Sequence, residues 1–162
     1  MTNEELQIQK DRMRFTKNTL SSNLAILAIV FDVLYFVSIY QSDVGSWYYQ
    51  ILIGASILYN LCFLLAAFLS SEGIKNYDIN YAYLLIALGV GQLVRIFILP
   101  AKAHAAVVTL QGVETAVMTG GQFAYVVGCL VISAACCLAA AAVGIQKSRT
   151  LTEYLASMKK TA

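Results

Sequence analysis

Residues 123–145 read FAYVVGCLVISAACCLAAAAVGI, a run without one charged side chain. As a helix this run is about 34 Å long, enough to cross a hydrocarbon core of about 30 Å. Three more stretches have the same character: Ser21–Tyr40, Trp47–Leu69 and Tyr81–Leu99. They are continuously apolar, whereas barrel strands alternate, so each predicts a transmembrane helix. The one proline, Pro100, sits where the third stretch ends.

Composition agrees. Hydrophobic residues make up 59% of the 162-residue chain and charged residues 12%. A soluble domain carries about 25% charged residues. The expected organisation is an N-terminal segment over 1–20, a four-span bundle over 21–146 and an amphipathic tail over 147–162. The longest connection is 100–122. The fold expected is an all-α, up-down-up-down membrane bundle of antiparallel helices.

The basic residues predict its orientation. Lys10, Arg12, Arg14, Lys17, Lys75, Lys147, Arg149, Lys159 and Lys160 fall on one side of a four-span chain; Lys102 alone falls on the other. By the positive-inside rule both termini are cytoplasmic, and the plasma membrane is the expected location. Tyr40, Trp47, Tyr48 and Tyr49 cluster at one interface, and Tyr77, Tyr81 and Tyr83 at the other, where amphipathic rings settle. The first span is read as retained: a polar segment of mixed charge precedes it, and no small-residue cleavage site follows.

The polar residues inside the spans carry the functional question. Asp32 lies in span one, Asn60 in span two, and Gln92 and Arg95 in span three. Charges in a bilayer are costly and usually pair. Asp32 lies about 17 Å above Ser21, and Gln92 and Arg95 lie about 17 and 21 Å above Tyr81. Spans one and three run the same way, so the depths match to about one turn. Gln92 and Arg95 share the row Leu88, Gln92, Arg95, Leu99. This predicts an Asp32–Arg95 pair, with Gln92 and Tyr35 completing its hydrogen bonds. Three roles fit these residues: a clamp that selects one helix arrangement, an Arg95 that snorkels outward past Pro100, or a proton or substrate site.

Span four carries small residues on one face: Ala124, Gly128, Ala135, Ala139 and Ala142. Small residues let membrane helices approach closely. Ala140-x-x-x-Gly144 and Ala87-x-x-x-Gly91 repeat the theme. The first reading of the face is packing within the bundle; the second is contact with another membrane subunit or a second copy.

Both tails show capping boxes, Thr2-x-x-Glu5 and Thr150-x-x-Glu153. The first predicts a helix running into span one, although Leu6, Ile8, Met13 and Phe15 form no clean stripe. After the second, Leu151, Tyr154, Leu155 and Met158 recur at i, i+3, i+4 and i+7. That spacing predicts a separate short amphipathic helix for the membrane surface or for a docking partner. Residues 101–118 are rich in Ala and Val and are expected to form an interfacial helix ended by Gly120-Gly121.

Catalytic and binding motifs are missing. Cys62, Cys129, Cys136 and Cys137 lie in apolar runs and make no Cys-x-x-Cys pair, so the chemistry of the four-span quinone-linked thiol oxidoreductases has no basis here. His104 is the one histidine, and metal sites need several ligands. No enzyme activity, cofactor, metal or nucleic acid is expected. The partners expected are membrane lipids and other membrane subunits. The leading expectation is a non-enzymatic accessory or assembly subunit of a larger membrane complex, such as a transporter. The alternative is a small oligomeric transporter or channel that uses Asp32, Asn60, Gln92 and Arg95.

Overall fold

A computed structural model describes residues 16–41, 50–110 and 113–161. The chain forms α1 (Thr19–Ile39), α2 (Gln50–Lys75), α3 (Ile79–Ile98), a short α4 (Pro100–Ala105), strands β1 (Val107–Leu110) and β2 (Val113–Ala116), and a long α5 (Gly120–Thr161). Among the described residues, four helices are long and apolar enough to cross a membrane. The capping box at Thr2 and the aromatic residues Trp47, Tyr48 and Tyr49 lie outside the described residues.

Hydrogen bonds tie the helix ends together at one end of the bundle. Asn18 caps α1: its Oδ1 accepts from Ser21 N. Its own backbone N–H donates to the Lys75 carbonyl at 3.0 Å, which satisfies an orphan acceptor in the last turn of α2. Ser22 Oγ and Ser71 Oγ lie 2.9 Å apart just inside this end. Helix α2 ends at Lys75, and Tyr77 just beyond it has φ 65°. Asp78 N–H reaches back to the Gly73 carbonyl and Tyr77 N–H to that of Ile74. This is the left-handed stop usually made by glycine. Ser148 Oγ donates to the Tyr77 carbonyl at 3.0 Å, which fixes α5 against the same turn.

Two apolar clusters form the core. One, towards the α2–α3 turn, gathers Ala25, Ala28, Phe63, Ala67, Ile74, Leu85, Cys137 and Ala140. The other, towards α4 and the strands, gathers Tyr35, Ile39, Leu99, Ala103, Val117, Met118, Val126 and Leu130. Close approach of α3 and α5 depends on Gly89. A Cβ there would lie 3.0 Å from Leu138 Cγ and 3.2 Å from the Ala134 carbonyl oxygen. Gly144 plays the same part opposite Ile74. Ala140-x-x-x-Gly144 therefore packs inward.

Three expectations need correction. The connection after span three is not a long interfacial helix. After α4, residues Val107 to Ala116 form an antiparallel pair in which Val107 lies opposite Ala116 and Leu110 opposite Val113. Val107, Val108, Thr109, Val113 and Thr115 are β-branched, and such side chains favour strands. The hairpin hands the chain to Val117 and Met118, both buried as a plug over this end of the core.

The tail is not a separate helix. Helix α5 runs unbroken to Thr161. Thr150 Oγ1 donates to the Gln146 carbonyl at 3.0 Å, and Thr152 Oγ1 to that of Ser148 at 3.0 Å. These hydroxyls bond backwards within a continuing helix instead of capping a new one. No Gly or Pro follows Gly144, and extending a helix is far easier than nucleating one. Beyond Ser148 the helix projects about 20 Å.

Helix α2 runs past the expected end at Leu69 as far as Lys75. Ser70 Oγ returns to the Ala66 carbonyl, so its polarity does not stop the helix.

Candidate functional site

The buried polar residues form one layer between the two apolar clusters. On α1 the inward stripe is Ala25, Ala28, Asp32, Tyr35 and Ile39. On α3 it is Ala82, Leu85, Gly89, Gln92 and Arg95. Gly89, rather than Leu88, is the buried residue one turn before Gln92. Asn60 enters from α2 and is 2% exposed.

Gln92 Nε2 donates to Asp32 Oδ1 at 2.7 Å. Arg95 Nη1 donates to the same oxygen at 3.2 Å and to Asn60 Oδ1 at 2.8 Å. The layer thus joins α1, α2 and α3 through one guanidinium nitrogen. Two rings flank that guanidinium: Arg95 Cζ lies 4.3 Å from the Tyr35 ring centroid and 4.9 Å from that of Tyr59. Cation–π contacts reach about 2 kcal/mol when desolvated, which offsets part of the cost of burying the charge. Arg95 is 5% exposed, so its head lies inside the bundle and does not snorkel to the surface.

Tyr35 contributes its ring, not its hydroxyl. The hydroxyl has no hydrogen-bond partner, and neither do Asp32 Oδ2, Gln92 Oε1 and Arg95 Nη2. Tyr59 was not anticipated. It directly precedes Asn60, but helix neighbours point about 100° apart, so the sequence carried no signal that both would reach Arg95. Ser133 was also missed: its Oγ donates to the Ala28 carbonyl at 2.9 Å and ties α5 to α1.

The small-residue face of α5 lies elsewhere. Ala124, Ala135, Ala139 and Ala142 are exposed, and a Cβ on the half-buried Gly128 would meet nothing within 4 Å. The bundle is packed instead by the opposite row, with Val126, Leu130, Ser133, Ala134, Cys137 and Ala141 buried. Packing within the bundle is therefore not what this face does. Helix α5 is apolar on both sides, and small residues occur on both: the inward row is bulky at Val126 and Leu130 but small at Ser133, Ala134, Cys137, Ala140 and Ala141.

On the projecting part of α5, Leu151 and Tyr154 are half-buried, while Leu155 and Met158 are exposed. His104 is exposed and stacks on Phe123, with ring centroids 4.4 Å apart. The four cysteines are unpaired. Among the described residues no three of His, Cys, Asp or Glu gather in a metal-binding group.

The layer presents a carboxylate already held by two donors and a guanidinium already held by two acceptors. The hydrogen bonds it makes hold helices together. No family model matches the chain, and no curated protein or solved structure does.

Proposed function

We propose that the protein is a non-enzymatic membrane accessory or assembly subunit that packs against a larger membrane partner. The observation that carries this reading is that the buried polar side chains bond to one another across three helices. Asp32, Asn60, Gln92 and Arg95 bond to one another between two apolar clusters. A path for a solute through this chain would need polar groups on either side of the layer, as pumps and carriers have. A clamp needs only the layer itself.

The outward small-residue face of α5 is the surface proposed to meet the partner. Ala124, Gly128, Ala135, Ala139 and Ala142 would let a neighbouring helix approach closely. The projecting end of α5, with Leu151, Tyr154, Leu155 and Met158, extends that surface beyond the membrane. In this reading the helices alternate in direction and both termini are cytoplasmic in the plasma membrane. The basic residues support that orientation, and the contacts of Asn18 with Lys75 and Tyr77 with Ser148 at one end support the alternation.

Purification in mild detergent, followed by mass spectrometry of co-purifying chains, tests the proposal. Ala135→Leu with Ala139→Leu should release a membrane partner without lowering the protein's own level. Leu155→Asp should release a partner that docks on the projecting helix. A chain that purifies alone, with both variants silent, would overturn the subunit reading. A second reading, a small oligomeric transporter or channel, draws on Arg95, which lines a cavity at the side of the bundle. It predicts solute or proton flux in vesicles holding the protein alone.

A further inference from the structure

Helix α5 leaves the hydrocarbon core at its polar run Gln146-Lys147-Ser148-Arg149-Thr150, yet its inward row does not stop there. Ala140 and Gly144 are buried, and Leu151 and Met158 continue their row at spacings of 4, 7 and 7, which keep one side of a helix. Tyr154 and Leu155 flank that row. Gly144 faces Ile74, and Ser148 Oγ bonds to the Tyr77 carbonyl. The row therefore passes the α2–α3 turn and runs about 20 Å beyond it. Apolar surface outside the hydrocarbon gains by leaving water. Because α5 is unbroken to Thr161, this part stands off the membrane and does not lie in its surface as an interfacial helix does.

The chain enters the bundle at the foot of this row. Asn18 N–H bonds to the Lys75 carbonyl, and Ser148 Oγ to that of Tyr77. Lys75 and Tyr77 are two residues apart, at most about 7 Å, and paired helices run about 8–10 Å apart. Asn18 caps α1, so residues 1–15 are set off from that helix. Their capping box, Thr2-x-x-Glu5, marks a helix start of its own. Fifteen helical residues reach about 22 Å, along the whole of the projecting row. Leu6 and Met13 are seven apart, as Leu151 and Met158 are, so one antiparallel register sets Met13 opposite Leu151 and Leu6 opposite Met158. Ile8 and Phe15 lie about 200° further round, which is why the four apolar residues form no single stripe.

We propose that residues 1–15 form a helix that docks antiparallel on the projecting part of α5, with Leu6 and Met13 against Met158 and Leu151. The contact stands whether or not the protein serves as a subunit. If a partner uses this face of α5, it must first displace the segment.

Paired cysteines in the full chain, oxidised in membranes and mapped by mass spectrometry, test this. A disulfide needs Cβ atoms within about 4.5 Å. Met13→Cys with Leu151→Cys, and Leu6→Cys with Met158→Cys, should each form one about tenfold faster than Ile8→Cys with Met158→Cys, whose first member faces away. The bond should lie within one chain, which then runs as a monomer on a non-reducing gel. Met13→Asp should speed labelling of Leu151→Cys by a water-soluble maleimide about tenfold. Equal bonding from Ile8→Cys would show a segment without a fixed face. Disulfides only between chains would assign the row to a second copy. Labelling unchanged by Met13→Asp would show that Leu151 is not covered by the segment. Any of these three results overturns the proposal.

Discussion

The ring of Tyr35 lies against the guanidinium of Arg95, 4.3 Å from Cζ to centroid, while the Tyr35 hydroxyl has no hydrogen-bond partner. The ring and the hydroxyl therefore make separable contributions. Tyr35→Phe should keep or slightly raise stability, since it removes an unpaired polar atom. Tyr35→Leu should lower it by about 1–2 kcal/mol through the lost cation–π contact. Thermal unfolding in detergent measures both. A larger loss in the phenylalanine variant would show that the hydroxyl matters.

Asp32 and Arg95 should behave as a coupled pair. Asp32→Asn and Arg95→Gln each leave a buried charge without its counter-ion, at about 3–5 kcal/mol. Each should reduce folded protein, and the double variant should recover part of the loss. A double-mutant cycle on yield and melting temperature measures the coupling. Single variants that fold normally yet lose flux, with no recovery in the double, would favour the transporter reading.

Met118 is 1% exposed in the plug that follows the hairpin. Met118→Ala should cost about 2–5 kcal/mol, as truncations in a packed core do. If the connection merely drapes over the bundle, the same change will leave the unfolding transition where it was.

Reporters check the orientation. Fusions after Ala162 and near Asn76 should report the cytoplasm, and a tag near Gly112 should be labelled from outside intact cells. External labelling of the C-terminus would reverse the proposed topology.

The number of spans and their rough positions were legible in the sequence. Bilayer thickness sets a length, and hydropathy is a local property, so FAYVVGCLVISAACCLAAAAVGI needs no neighbour to be read as a span. The membership of the polar layer was legible for the same reason: Asp32, Asn60, Gln92 and Arg95 stand out in apolar runs, and matched depth makes Asp32 and Arg95 partners. The sequence could not say which face of α5 turns inward. In lipid either face of α5 is acceptable outside, because both are apolar and both carry small residues, so rotation is decided by which side chains fit the space left by α1 and α3. That choice buried Val126, Leu130 and Ala134 and left Ala135 and Ala139 outside. The two rings around Arg95, and the single nitrogen shared by Asp32 and Asn60, likewise required three helices at fixed distances. Local signals misled at the ends. The capping box at Thr150 lies within a helix already under way, where propagation outweighs a new start. The Ala- and Val-rich connection became a hairpin because its β-branched residues pair with each other beside a core end that Val117 and Met118 seal. The sequence by itself determined what the membrane acts on, residue by residue; the tertiary structure decided what depends on several helices meeting at once.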